Sequence, residues 1–151
     1  MLQQRNIGFL LATAVACAMT EATAGGAGDN AAITGETVDR FDKGTPQSAV
    51  LCLPWAATLA EDETLTLTYT VETGAEDDLS DAATLVTDTV VVATGPAGGG
   101  DLSGTLNIDV AVRAGGRYCR ANVTPDLSAG DTDTAMVGGV WIFGGMDRLP
   151  Q

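Results

Sequence analysis

Residues 64–72 read Thr-Leu-Thr-Leu-Thr-Tyr-Thr-Val-Glu, an unbroken alternation of polar and apolar side chains. Successive side chains of a β-strand point to opposite faces of the sheet. The pattern therefore predicts a strand with Leu65, Leu67, Tyr69 and Val71 on one buried face and the polar residues on the other. A chain with this segment needs a sheet that is covered on at least one side.

Other short apolar or alternating runs follow at near-regular spacing, separated by turns rich in glycine and proline. Pro54 is expected to end the second run because proline cannot donate to a strand ladder. The run Val90-Val91-Val92 is apolar on both faces and predicts a central strand. The predicted strands cover residues 33–40, 47–53, 64–72, 84–94, 102–112, 116–124 and 134–143.

These runs predict an all-β fold: an antiparallel, jelly-roll-like β-sandwich of seven or eight strands. The eighth strand would come from residues 79–83 or from the amino-terminal segment. The length of 151 residues supports one domain with a real core, and the hydrophobic content of 45% argues for a folded chain. Only 5% of the residues are aromatic, which suits thin β-layers built from small side chains.

The amino-terminal segment has two interpretations. Arg5, an apolar stretch over residues 7–19 and the sequence Ala22-Thr23-Ala24 have the outline of a cleaved secretory signal. Alternatively, the segment is an apolar arm or helix that packs on the domain or on a neighbouring subunit. The arm interpretation divides the chain into residues 1–28, which include a glycine-rich joint, and a sandwich domain over residues 29–151.

Charge and composition exclude several functions. Lys+Arg 7 against Asp+Glu 20 gives a net charge of −13, which disfavours binding to nucleic acid and to anionic membranes. The chain has no histidine, so it has no Ser-His or Cys-His nucleophile pair and no imidazole metal ligand. We therefore expect no enzymatic activity, no catalytic residues, no cofactor and no metal site.

Three cysteines, Cys17, Cys52 and Cys119, lack the spacing of a zinc site or a disulfide framework. We expect Cys52 and Cys119 to be buried small hydrophobic residues, although a bridge between the two remains open.

Charged residues fall into two kinds of cluster. Acidic turns at residues 61–63, 76–81 and 131–133 are expected to be solvated, because none matches a calcium-binding loop. Arg113, Arg117 and Arg120 form a basic island within eight residues. These arginines are expected to face protein, either acidic loops of a neighbouring subunit or carboxylates of the same chain.

The carboxyl-terminal third carries a resemblance. Residues 116–124 read Gly-Arg-Tyr-Cys-Arg-Ala-Asn-Val-Thr, and after a polar turn residues 135–150 include the last predicted strand, which is rich in glycine and small residues. This arrangement, with the earlier threonine-rich strand, resembles capsid decoration (cement) proteins of tailed bacteriophages. The resemblance implies a jelly-roll-like sandwich that assembles on the outer surface of a virion, often as a homotrimer, with the major capsid protein as its partner. The long apolar amino terminus departs from that family.

A cement protein needs apolar anchors and charge complementarity rather than chemistry. Ordinary core packing is the competing interpretation for the aromatic anchors, and it is favoured for Trp141. A secreted adhesion or ligand-binding module and a head-tail connector or tail protein are the alternative functions. The candidate interface residues are Phe9, Leu10, Leu11, Arg113, Arg117, Arg120, Trp141, Phe143, Met146 and Leu149.

Overall fold

A computed structural model describes residues 7–128 and 132–147 of the chain. Leu149, one of the candidate interface residues, lies outside the described residues. The elements in chain order are a short helix, α1 (Ile7–Leu10), and the strands β1 (Ala12–Thr23), β2 (Ile33–Thr34), β3 (Val38–Asp39), β4 (Pro46–Leu59), β5 (Thr64–Gly74), β6 (Ala83–Thr94), β7 (Gly100–Val110), β8 (Tyr118–Leu127) and β9 (Thr134–Met146), with a 3-10 turn (Val112–Ala114) after β7.

The strands form two antiparallel sheets that pack face to face. Sheet A has the order β1-β9-β4-β7, and sheet B has the order β2-β8-β5-β6 with β3 also paired to β8. The predicted antiparallel, jelly-roll-like β-sandwich is confirmed. Within the described residues, no helix is long and apolar enough to cross a membrane.

The core fills the space between the sheets. Leu65, Leu67, Tyr69 and Val71 are buried, as the alternation predicts. On β8 the inward residues are Cys119, Ala121 and Val123, which also agrees with the sequence pattern. From β9 the rings of Trp141 and Phe143 contribute a stacked pair, with centroids 5.6 Å apart.

The amino-terminal segment is part of sheet A. Residues 12–23, for which the sequence leaves a cleaved signal, an arm and an eighth strand open, form β1 and pair with β9 from Ala12–Phe143 to Thr23–Thr134. Two register shifts bend β1 beside Gly138 and Gly139. A Cβ atom on Gly139 would lie 2.7 Å from Cys17 Sγ, so the glycine permits this close approach. The strand buries Ala16, Cys17 and Ala22.

The prediction of a central strand around Val90-Val91-Val92 was wrong. β6 lies at the edge of sheet B, where its described pairing is with β5 alone. Val91 is 57% exposed, and most of the strand is open to solvent. A run of valines fits a pleated surface at an edge as well as at a centre, so its composition could not separate the two positions.

Pro54 does not end the second strand, contrary to expectation. β4 continues to Leu59, and its pairing with β7 runs from Ala49 to Leu59 without a break at the proline. The pairing with β9 steps from Cys52–Val140 to Trp55–Val137 and omits the proline. Proline, which has no N–H group to donate, therefore lies where β4 has no paired residue on β9.

Candidate interaction surface

The outer face of sheet A is mostly apolar across its first three strands. Strand pairing places outward side chains in rows that cross the sheet from β1 through β9 and β4 to β7. Three such rows are Thr13, Ile142, Val50 and Asp109; then Val15, Val140, Cys52 and Asn107; then Glu21, Met136, Ala56 and Ser103.

Large apolar side chains on this face are open to solvent. Val15 is 57% exposed, Met19 56%, Met136 45% and Val140 38%. Because they belong to two adjacent strands, these side chains form one patch rather than scattered single residues. A contiguous apolar patch on a sheet face is typical of a protein contact surface.

Two shallow grooves lie on the same face. The first groove, of about 460 Å³, is lined by Glu21 and Asp101 together with Ala56 and Met136. The second groove, of about 630 Å³, lies toward the other end of the strands. Its lining combines apolar side chains with a carboxylate and includes Leu11, Val50, Asp109 and Ile142. Each groove therefore joins apolar walls to at least one acidic group.

The outer face of sheet B has a different chemistry. Threonine hydroxyls pair across β5 and β6, with Thr68 Oγ1 2.9 Å from Thr89 Oγ1 and Thr70 Oγ1 2.9 Å from Thr87 Oγ1. On β8 the outward positions are polar or charged and include Arg120, Asn122 and Asp126. The sandwich thus has one apolar and one polar outer face.

Two arginines of the basic island pair within the chain. Arg117 Nη2 donates to Asp39 Oδ2 at 2.6 Å, and its guanidinium lies over the rings of Phe41 and Tyr118. This hydrogen-bonded pair lowers the pKa of Asp39 and raises that of Arg117. Arg120 Nη2 donates to Glu72 Oε2 at 2.9 Å. The intramolecular alternative therefore describes both of these arginines.

Arg113 is exposed and has no ion pair with any residue in the described ranges. A fourth arginine, Arg40, was not singled out by the sequence. It is 5% exposed and donates to the carbonyl oxygens of Gly115, Gly116 and Pro46. Burial lowers the pKa of Arg40. Its partners are backbone groups, which no sequence motif reveals.

The predicted apolar anchors divide into three groups. Trp141 and Phe143 are fully buried, so the prediction that they are interface residues is corrected. They pack in the core because β9 lies between β1 and β4 and its inner face is covered by sheet B. Met146 is partly buried against the core, and Leu10 is half-buried. Phe9 is exposed, whereas Leu11 lines the second groove.

The acidic turns are mostly solvated. Glu61, Asp62 and residues 76–78 are exposed, as predicted. Asp133 differs, because it is 2% exposed and its Oδ1 accepts a hydrogen bond from the Ala60 backbone N–H at 3.0 Å. Across residues 7–128 and 132–147, no group of three or more carboxylates and thiols is arranged to hold a metal ion.

The cysteines are unbridged. Cys17, Cys52 and Cys119 are all free thiols. Cys52 lies half-buried on the outer face of sheet A, whereas Cys119 points into the core from sheet B, so no bridge joins them. The expectation that Cys52 is buried is corrected by its outward position on β4.

Sequence reasoning missed Val15, Met136 and Val140 as surface residues. A signal was present: most outward positions of β9 and β4 are apolar, as are the inward ones. Strands that are apolar on both faces are covered on both faces or carry a contact surface. The rows could not be assembled without the strand order.

Solved structures of viral capsid proteins resemble this fold. One is the structure of infectious bursal disease virus Gx strain, with 14% identity over 93% of this chain and 34% of that chain, at a TM-score of 0.50. Another is the crystal structure of infectious bursal disease virus VP2 subviral particle, with 14% identity over 91% and 33% of the two chains and a TM-score of 0.50.

This chain spans about a third of the length of those two proteins. At such low identity the likeness concerns the fold alone. No protein-family model matches the chain, and no curated protein matches it. The chain therefore has a β-sandwich fold of the type found in these viral capsid proteins.

Proposed function

We propose that this chain is a non-enzymatic structural protein of a virion, which binds the outer surface of a tailed-phage capsid and stabilises it. The observation that carries the proposal is the difference between the two outer faces of the sandwich. The exposed apolar patch of sheet A, with Val15, Met136 and Val140, favours burial against another protein. The threonine-rich face of sheet B suits contact with water.

The net charge supports a location outside the shell. A net charge of −13 disfavours contact with packaged DNA, whereas a solvated outer surface tolerates it. The capsid-type fold supports a place in the virion, and the resemblance of residues 33–150 to phage decoration proteins supports the outer surface. The partner in this proposal is the major capsid protein.

Assembly as a homo-oligomer, with a trimer favoured, is part of the proposal. β6 is a long edge strand with exposed Val91, and its single charged residue is Asp88. Edge strands pair with other chains unless charge, proline or bulges prevent it. β6 has a register shift near each end, and its regular stretch from Val86 to Val91 is the part that is free to pair. We assign the contact between copies to this edge, which leaves the outer face of sheet A for the shell.

Mass spectrometry of purified virions tests this function. We expect the protein in the particles at a copy number comparable to the number of capsomers. Electron cryomicroscopy of the same particles should show it on the shell, with threefold or quasi-sixfold symmetry. Absence from the particles would overturn the proposal. Density confined to the portal or tail would favour the connector alternative instead.

A further inference from the structure

Carboxylates stand at both ends of the apolar face of sheet A. Glu21 and Asp101 line the first groove, and Asp109 lines the second. Asp101 and Asp109 are eight residues apart on β7, which corresponds to about 26 Å at the usual rise of a strand. The apolar patch around Val140 lies between them.

These carboxylates have no basic neighbour on their own face. No outward position of β1, β4, β7 or β9 within the described residues is a lysine or arginine. The Asp101 carboxylate accepts a hydrogen bond from Thr58 Oγ1 at 2.7 Å. The side chains of Glu21 and Asp109 have no hydrogen-bond or ion-pair partner in the described part of the chain.

Resting on the function proposed above, we propose that the outer face of sheet A binds a capsid-protein surface with an apolar centre and a basic side chain at each end. The apolar centre covers Val15, Met136 and Val140. One basic group enters the groove of Glu21 and Asp101, and the other enters the groove of Asp109. A basic side chain at each end would neutralise these carboxylates. An entirely apolar partner would bury the same carboxylates without any opposite charge, which costs free energy.

A second copy of this chain is the wrong occupant for this face. An isologous contact pairs residue i of one copy with residue j of the other. Because β1, β4, β7 and β9 contain no lysine or arginine within the described residues, a second copy offers Glu21, Asp101 and Asp109 no basic partner on this face. Like charges held close together oppose association, and the net charge of −13 per chain adds to that repulsion. The charge distribution thus selects a different, basic partner.

Charge-reversal variants test the assignment on virions that lack the protein. Purified Glu21→Lys and Asp109→Lys are compared with Asp77→Lys, which makes the same charge change in an exposed turn away from sheet A. We expect each sheet A variant to bind the particles about tenfold more weakly than the wild type, and the control to bind equally well. Circular dichroism verifies that all three variants fold.

Three results would overturn the assignment. The first is equal binding by all three variants, and the second is weakened binding by Asp77→Lys alone. In the third, Asp109→Lys changes the oligomeric state of the isolated protein but still binds the particles normally. That result would identify a second copy as the occupant of this face. If the wild-type protein neither occurs in virions nor binds to them, the proposed function itself fails. That result is independent of the variants, so it is distinguishable from failure of the charge assignment.

Discussion

The carboxylate of Glu72 on β5 lies 2.9 Å from Nη2 of Arg120, its direct cross-strand neighbour on β8. The oxygen that contacts Arg120, Glu72 Oε2, also accepts a hydrogen bond from Asn122 Nδ2 at 2.8 Å. The hydrogen bond from Arg120 is the main cause of a lowered pKa of Glu72, opposed by partial burial. This cluster joins the two central strands of sheet B on its polar face.

Replacing Glu72 with glutamine should lower the free energy of unfolding by about 1 kcal/mol near neutral pH. Because the folded-state pKa lies below the ordinary value of 4.5, the contribution is present above that value and is lost as the pH falls through the folded-state pKa. Urea unfolding of both proteins at neutral and at acidic pH measures the difference. A difference that does not change with pH would contradict the assignment, and exposed Glu76→Gln is the matched control.

Replacing Arg40 with methionine should destabilise the fold by about 3 kcal/mol. The variant keeps the apolar stem but leaves the carbonyl oxygens of Gly115, Gly116 and Pro46 without their buried donor. Chemical denaturation measures the loss. Lys43→Met removes a positive charge three residues away and should change stability by less than about 0.5 kcal/mol. Equal losses in both variants would show that charge, rather than these hydrogen bonds, is responsible.

The three thiols should react at different rates. Burial raises the pKa of Cys17 and of Cys119 to about 11, so little thiolate forms at these positions near neutral pH. We expect a maleimide to label Cys52 in the folded protein and the other two only after unfolding. If Cys52 is not labelled by the maleimide in virions, the outer face of sheet A is covered there. Fast labelling of Cys119 in the folded protein would contradict its buried position.

Removal of β1 should unfold sheet A or make it aggregate. A chain that begins at Gly25 lacks Ala16, Cys17 and Ala22 and leaves one edge of β9 unpaired. A chain that begins at Leu11 retains the strand and serves as the control. Circular dichroism and light scattering compare the two chains. If both chains fold equally well, β1 is dispensable for folding. In that case, a natural protein found to start near Gly25 would favour the secreted alternative.

Replacing Val91 with lysine should reduce self-association with little effect on stability, within about 0.5 kcal/mol. The side chain is exposed on the outward side of β6, and a charge at an edge opposes pairing with another strand. Analytical ultracentrifugation measures the oligomeric state. Thr124→Lys on β8, away from the edge, is the control. An unchanged oligomer in Val91→Lys would place the contact between copies elsewhere.

Local pattern was sufficient for part of this fold. The alternation of β5 and of residues 119–123 in β8 predicted which side chains are buried, because that depends only on a period of two. The position of β6 at an edge and the incorporation of β1 depend on strand order. Strand order is set by contacts distant in sequence, such as that of Ala12 with Phe143. The candidate surface was missed for the same reason, since its rows join residues from four strands.

β9 lies between β1 and β4 in sheet A, and it is made after both of them. During synthesis β1 therefore has no sheet partner until residues 134–146 have left the ribosome. Sheet B has its three longest strands, β5, β6 and β8, before that moment. Folding on the ribosome should thus proceed from sheet B to sheet A. The outer face of sheet A, which we propose binds the capsid, is therefore the last part of the molecule to form, and we expect it to be complete only when the whole sandwich has folded.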